Sequence, residues 1–168
     1  KAGLSYPLFM KPIDYNKCLP YSLRLLTKKR YTTAEMQKKL EQYINKILLG
    51  YQSIGKPVPE IEDSVIERVI ARLEELRYLD DEQYAKDFVS SRIMFKPKGR
   101  FMLLRELKQK GIDESVAERA IDDIGLDETE VGSDLLMKRM ERWQGIPVQK
   151  SKEKAMRILA SRGFKSNS

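Results

Sequence analysis

The chain has 168 residues, 34% charged and 41% hydrophobic, with a net charge of +7 and a pI near 9.4. It has no histidine and a single cysteine, Cys18, which excludes an internal disulfide, every Ser-His or Cys-His nucleophile pair and most zinc sites. No stretch approaches the roughly 20 apolar residues that span a bilayer, and the excess of base suits either a polyanionic partner or simple solubility.

Taken in chain order, residues 1–15 read as irregular, because Pro7 and Pro12 break any helix there and the apolar residues lack a period. The first residue is Lys1 rather than Met, which fits a chain that begins inside a longer precursor, where a removed targeting peptide would leave no trace. From Asn16 onward the period is helical. Met36, Leu40, Tyr43, Ile44 and Ile47 form one stripe, and Val65, Ile66, Val69, Ile70, Leu73 and Leu76 form a second. Tyr84, Ala85, Phe88, Val89 and Ile93 follow, then Leu103, Leu104 and Leu107, then Val116, Ala117, Ala120, Ile121 and Ile124. Spacing of i, i+3, i+4 puts each set on one buried helix face.

Thr32 with Glu35, Ser64 with Glu67, Asp80 with Gln83 and Asp127 with Glu130 have the spacing of capping boxes. Gly111, Gly125, Gly145 and Gly163 fall where helices stop. The stretch "GYQSIGKPVPEIED", Gly50 to Asp63, has two Gly, two Pro and no period, so it reads as a long helix-to-helix loop, a tolerated insertion before a partner contact. No segment alternates as a strand does. The expected class is all-α.

The pattern repeats. "LDDEQYAKDFVSSR" from Leu79 matches "LDETEVGSDLLMKR" from Leu126, and "LRELKQKGI" from Leu104 matches "MRILASRGF" from Met156. "YSLRLLTKKRYTTAEMQKKLEQY" from Tyr21 has the same order of apolar helix, basic turn and basic-faced helix. These observations predict a tandem array of three-helix repeats. Residues 1–15 precede it. The first repeat spans 16–78 with the insertion near 50–63, the second 79–125, and the third 126–168, apparently lacking its last helix.

Charge follows the repeats. Arg92, Lys96, Lys98, Arg100, Arg105, Lys108 and Lys110 face only Glu106 within residues 92–110. Lys138, Arg139, Arg142, Lys150, Lys152, Lys154, Arg157, Arg162 and Lys165 dominate 138–165, and Arg24, Lys28, Lys29, Arg30, Lys38 and Lys39 dominate 24–39. A basic block at the same place in each repeat favours a binding surface over a solvated face of random sign. Phe95, Phe101 and Trp143 lie among these bases. They could stack on bases or fill partner pockets, although core packing is the commoner use and the reading preferred for Phe101. Asp80 and Asp81 carry no catalytic signature. Asp80 fits an N-cap and Asp81 the first turn, where the helix dipole favours negative charge, and a two-carboxylate centre would need further ligands. Cys18 reads as a small buried residue whose pKa Lys17 and a helix start could lower somewhat.

"LRLLTKKRYTTAEMQKKL", "RLEELRYLDDEQYAKDFVSSRI" and "RELKQKGID" resemble the RecX family of recombinase regulators, over about residues 18–163. Three departures stand out: Ser90 where the family pattern has an arginine, loss of the usual Gly-Pro of the turn, and the added Gly50–Asp63 loop. The resemblance implies an elongated, curved array of helical repeats with no cofactor, metal or catalytic residue. It implies a monomer that binds the RecA–single-stranded DNA filament and suppresses its ATPase, strand-exchange and coprotease activities, with weak binding to single- and double-stranded DNA and none to membranes. The residues expected to dock are Arg92, Lys96, Lys98, Arg100, Arg105 and Lys108, extended by Lys28, Lys29, Arg30, Arg139, Arg142 and Lys152. Such a protein would be cytoplasmic in a bacterium and lie in a plastid or mitochondrion in a eukaryote. The alternative is a basic helical DNA- or RNA-binding protein with no recombinase partner, in an organelle for example.

Overall fold

The structure, a computed structural model, describes residues 11–164. Pro7 and most of the irregular N-terminal segment lie outside the described residues. Among the described residues the protein is all-helical: eight α-helices, one short 3-10 turn and no strand. None of these helices is long and apolar enough to cross a membrane. The chain divides into two compact units that part between Asp80 and Asp81.

The first unit holds α1 (Tyr15–Leu26), α2 (Thr33–Ser53) and α3 (Val65–Glu75). Its core is built from i, i+4, i+8 sets: Met36, Leu40 and Ile44 on α2 meet Val65, Val69 and Leu73 on α3, with Cys18, Ile13 and Leu79 closing the cluster. Asp14 starts α1 by accepting from the Lys17 N–H at 3.0 Å. The loop expected from Gly50 begins only after Ser53, since α2 runs on through Gly50. Glycine inside a helix costs about 1 kcal/mol relative to alanine and does not by itself end one. The loop's far end is tied down: the Ile13 N–H donates to the Glu60 carbonyl at 2.8 Å, and the Glu62 N–H donates to the Ile13 carbonyl at 3.0 Å. The Glu62 carboxylate also accepts from the Tyr15 N–H at 2.9 Å.

The capping pairs divide. Thr32 forms a complete box with Glu35: the Glu35 N–H donates to Thr32 Oγ1 at 3.1 Å, and the Thr32 N–H donates to Glu35 Oε2 at 3.4 Å. Asp127 accepts from the N–H groups of Thr129 and Glu130 at 2.8 and 3.1 Å. Ser64 corrects the expectation. It precedes α3 in position, but its backbone is left-handed (φ 53°) and its side chain makes no capping bond. An N-cap hydroxyl reaches the N2 or N3 amide from the extended region of backbone space, and Ser64 has left that region. Asp80 directly precedes α4, and its carboxylate accepts from Arg77 at 3.0 Å. Thr32→Ala is therefore expected to cost the first unit about 1–2 kcal/mol, and Ser64→Ala no more than about 0.5 kcal/mol. Urea denaturation followed by far-UV circular dichroism checks both, and equal losses at the two sites would contradict this assignment.

The second unit holds α4 (Asp81–Phe95), α5 (Arg100–Gln109), α6 (Glu114–Ile124), α7 (Glu128–Met140), the 3-10 turn Glu141–Trp143 and α8 (Val148–Ser161). Helices α4, α5 and α6 enclose Ala85, Val89, Leu103, Leu107, Ile112, Ala117, Ala120 and Ile121. Gly125 ends α6 in the left-handed region at φ 66°, which glycine enters without steric cost. Helices α7 and α8 are more thinly packed: Leu135, Trp143 and Phe164 are buried, while α8 itself has no fully buried residue. The end of α8 meets the start of α5, where the Gly99 N–H donates to the Arg162 carbonyl at 3.0 Å.

Candidate partner interface

The basic residues of the second repeat sit on a helix–turn–helix formed by α4, the turn 96–99 and α5. The linear count opposes Glu106 alone to seven bases. Folding changes that balance. Glu106 on α5 accepts from Arg92 Nε of α4 at 2.9 Å and from Lys98 Nζ of the turn. All three side chains are partly buried, at 20%, 28% and 16% exposed for Glu106, Arg92 and Lys98. Burial pushes the Glu106 carboxyl up, but hydrogen bonds from Lys98 and Arg92 outweigh it and hold the group below the ordinary carboxylate range. The Arg92 guanidinium also lies 4.4 Å from the centre of the Phe88 ring.

Acids distant in sequence reach the same helix. Asp122 on α6 pairs with the Arg100 guanidinium, and Glu128 at the start of α7 accepts from the Arg100 backbone N–H. Glu114 lies 3.6 Å from Lys108, with both side chains exposed, where such a pair adds little stability. Arg92, Lys98 and Arg100 are thus engaged within the fold, each by an acid of the same unit. Lys96 and Arg105 are exposed and have no ion-pair partner among the described residues.

The aromatic expectation for Phe101 is also corrected. Phe101 is 62% exposed and Phe95 is 73% exposed, and Met94 beside Phe95 is exposed too. Phe101 lies two residues before Leu103, more than half a turn of a 3.6-residue helix, so the face that buries Leu103 and Leu107 turns Phe101 outward. Apolar side chains that stand out beside free bases suit a partner surface.

In the first repeat, Lys28 is exposed and Lys29 lies over the Tyr31 ring at 4.2 Å from its centre. Arg30, exposed next to them, is already engaged in an interaction. In the third repeat, Arg139 and Arg142 line a groove between α7 and α8 together with Lys138 and Lys154, while Lys152 is exposed on α8 but does not line it. Lys138 and Lys154 are outside the docking set drawn from the sequence. The signal that finds them is helical spacing: Leu135, Lys138, Arg139 and Arg142 follow i, i+3, i+4, i+7, and Lys154 and Ile158 follow i, i+4.

The carboxylates gather at caps and ion pairs, and among the described residues no group of three or more His, Cys, Asp or Glu could hold a metal ion. Cys18 is buried. Burial, then the Asp14 charge, raises its pKa, and the opposing effect of Lys17 is too weak to reverse them. The lowering effect of Lys17 is thus outweighed, and the thiol is the small buried residue expected from the sequence.

Residues 80–121 match the family model for RecX, second three-helix domain. The chain is 31% identical over 156 residues to a protein named Regulatory protein RecX from Serratia proteamaculans, covering 89% of this chain and 91% of that one. A protein of the same name from Chlorobium phaeobacteroides is 30% identical over 159 residues, covering 95% and 93%. The crystal structure of RecX from Lactobacillus salivarius superposes with a TM-score of 0.72 at 24% identity, over 92% of this chain and 90% of that one, so the two share the helical-repeat fold. Identity at this level across nearly the full length of both relatives, with the family's second three-helix domain falling on α4 to α6, shows that the chain belongs to the RecX family.

Proposed function

We propose that this protein is a non-catalytic regulator of a RecA-type recombinase. It docks on the recombinase–single-stranded DNA filament and lowers its ATPase, strand-exchange and coprotease activities. Membership of the RecX family supports the reading, as does a chemistry without histidine or a paired-carboxylate centre. The observation that carries it furthest is the presence of two exposed bases without an ion-pair partner, Lys96 and Arg105, beside exposed Phe95 and Phe101 on the second repeat, with Lys108 exposed and only loosely paired to Glu114. Lys96, Arg105 and Lys108 make the electrostatic contact there. Arg92, Lys98 and Arg100 hold the turn that presents it. Lys28, Lys29 and Arg30 in the first repeat, and Arg139, Arg142 and Lys152 in the third, add further weak contacts. Several weak sites on one chain give avidity when they engage a repeating filament together.

The test is the single-stranded-DNA-dependent ATPase of a recombinase from the same source, titrated with this chain at fixed salt. Inhibition is expected well below one chain per recombinase subunit. Reversing charge at Lys96, Arg105 and Lys108 should raise the half-inhibiting concentration by about tenfold or more, mainly through slower association. No inhibition at saturating chain, together with tight binding to bare nucleic acid, would replace this reading with that of a nucleic-acid-binding protein without a recombinase partner.

A further inference from the structure

A groove of about 480 Å³ lies between α1 and α2 in the first unit. Helical spacing builds it. Tyr21 and Arg24 stand three residues apart on α1, while Gln42 with Lys46 and Tyr43 with Ile47 stand four apart on α2, so each pair shares one face. The Tyr21 and Tyr43 rings stack across the two helices, with centres 4.0 Å apart and planes within 9°. Both rings also pack against the core of this unit. The Arg24 guanidinium lies over the Tyr21 ring, 5.7 Å from its centre. Arg24 and Lys46 are exposed and have no ion-pair partner among the described residues, and no acid lines the groove. A flat aromatic wall therefore meets two uncompensated charges at one place.

We propose that this groove binds a free nucleoside 5′-monophosphate. The two rings take the nucleobase, since aromatic rings gain from offset or edge-on contact beyond the area they bury. Arg24 and Lys46 take the phosphate, the guanidinium through paired hydrogen bonds and the ammonium as a point charge. Lysine and arginine are donors only, whereas the Gln42 amide both donates and accepts. It fits a base edge on which a donor stands beside an acceptor, as on adenine. Lys39 Nζ reaches Gln42 Oε1 only at 3.4 Å, too long a contact to hold the amide against a ligand. Charge selects the free nucleotide over a strand. A phosphate monoester carries about −1.5 to −2 near neutral pH, which two cations answer. Each linkage within a strand carries a single charge, and no third cation lines the groove for the next one. A phosphorylated tyrosine would cover the aromatic wall but offer its ring edge no bond to Gln42.

Binding here does not depend on filament docking, and its test contains no recombinase. Calorimetric titration of the full chain with adenosine 5′-monophosphate should show saturable binding. Adenosine and ribose 5-phosphate each lack one half of the ligand, and phenyl phosphate lacks the base edge. All three should bind about tenfold or more weakly than the nucleotide. Lys46→Gln and Arg24→Gln should each weaken the nucleotide by about tenfold, and Lys46→Arg should retain it. Both residues are exposed, so the far-UV circular dichroism of these variants should match that of the natural chain. No saturation up to about 10 mM nucleotide, past the millimolar end of the affinity scale, would overturn the proposal. So would an affinity that neither charge substitution changes. Equal binding of phenyl phosphate would overturn it and assign the groove to a phosphorylated side chain. Displacement of the nucleotide by an equal concentration of an oligonucleotide without a terminal phosphate would overturn it in favour of a strand.

Discussion

Gly99→Ala is expected to weaken the second unit by about 2–3 kcal/mol, near the upper end for an overpacked site. The cause is local geometry. A methyl group at Gly99 would overlap the Gly163 carbonyl oxygen and come within 2.6 Å of its carbonyl carbon and of Glu128 Oε1. The first obstacle is backbone, which no rotamer change can clear. Its position is set by the turn after α8, where Gly163 has φ 77° and itself packs against Met102. The same approach carries the hydrogen bond from the Gly99 N–H to the Arg162 carbonyl and lets Glu128 accept from the Arg100 N–H. Three segments therefore meet over a missing side chain: the start of α5, the start of α7 and the end of α8. Urea denaturation read at Trp143 makes the test local to this unit. With a slope of about 1 kcal/mol per molar for a small unit, the midpoint should fall by about 2 M. Gly132→Ala is the control with the opposite sign. Its added methyl would sit at 3.4 Å from Leu159 Cδ2, an ordinary contact, inside a regular helix. Alanine is favoured over glycine there by about 0.5–1 kcal/mol. Equal midpoints for the two variants would mean that the end of α8 does not close on Gly99.

The helices were legible because their apolar residues recur at helical spacing, and burial follows that spacing closely on α2, α3 and α6. Met36, Leu40 and Ile44, then Val65, Val69 and Leu73, then Ala117, Ala120 and Ile121 are all core. Thr32 was legible as a cap because its box is a local, four-residue event. Ser64 likewise offers a hydroxyl three residues ahead of a glutamate, yet the chain enters α3 left-handed there. The incoming path is fixed by the tie between Ile13 and the loop around Ile61, far apart in sequence. The period that places Leu103 and Leu107 inside also places Phe101 outside. The state of the bases was beyond any local count. Asp122 is 22 residues from Arg100 and Glu106 is 14 from Arg92, so compensation depends on how α4, α5 and α6 pack. The same holds for the groove of the third repeat, whose members become neighbours only when α7 and α8 face each other.

Glu106→Gln tests whether the basic turn is held by its internal ion pairs. At neutral pH the substitution should cost about 2 kcal/mol, the scale of hydrogen bonds to a charged group in a partly buried setting. It leaves Arg92 and Lys98 close together and partly shielded from water without the anion that both now contact, and a half-stranded charge is the costly outcome of breaking such a cluster. The pH dependence follows from the direction of the Glu106 shift. Burial raises its pKa, the hydrogen bonds from Lys98 and Arg92 lower it further than burial raises it, and the net value is below the ordinary one. The unfolded chain therefore takes up a proton at a higher pH than the folded chain does. The stabilisation is complete above the unfolded value of about 4.3 and is lost as pH falls through the folded value. Urea midpoints of the natural chain and the glutamine variant should differ most near pH 7 and converge as pH falls below the ordinary carboxylate range. A gap that persists unchanged at about pH 3 would show that Glu106 acts through shape rather than charge. The functional consequence is separable from stability. On the filament-docking reading, with Arg92 and Lys98 as positioning residues, the folded glutamine variant should lose part of its recombinase inhibition at neutral pH as the turn loosens, whereas charge reversal at Lys96, Arg105 and Lys108 should raise the half-inhibiting concentration by about tenfold or more while leaving the unfolding free energy within about 0.5 kcal/mol of the natural chain.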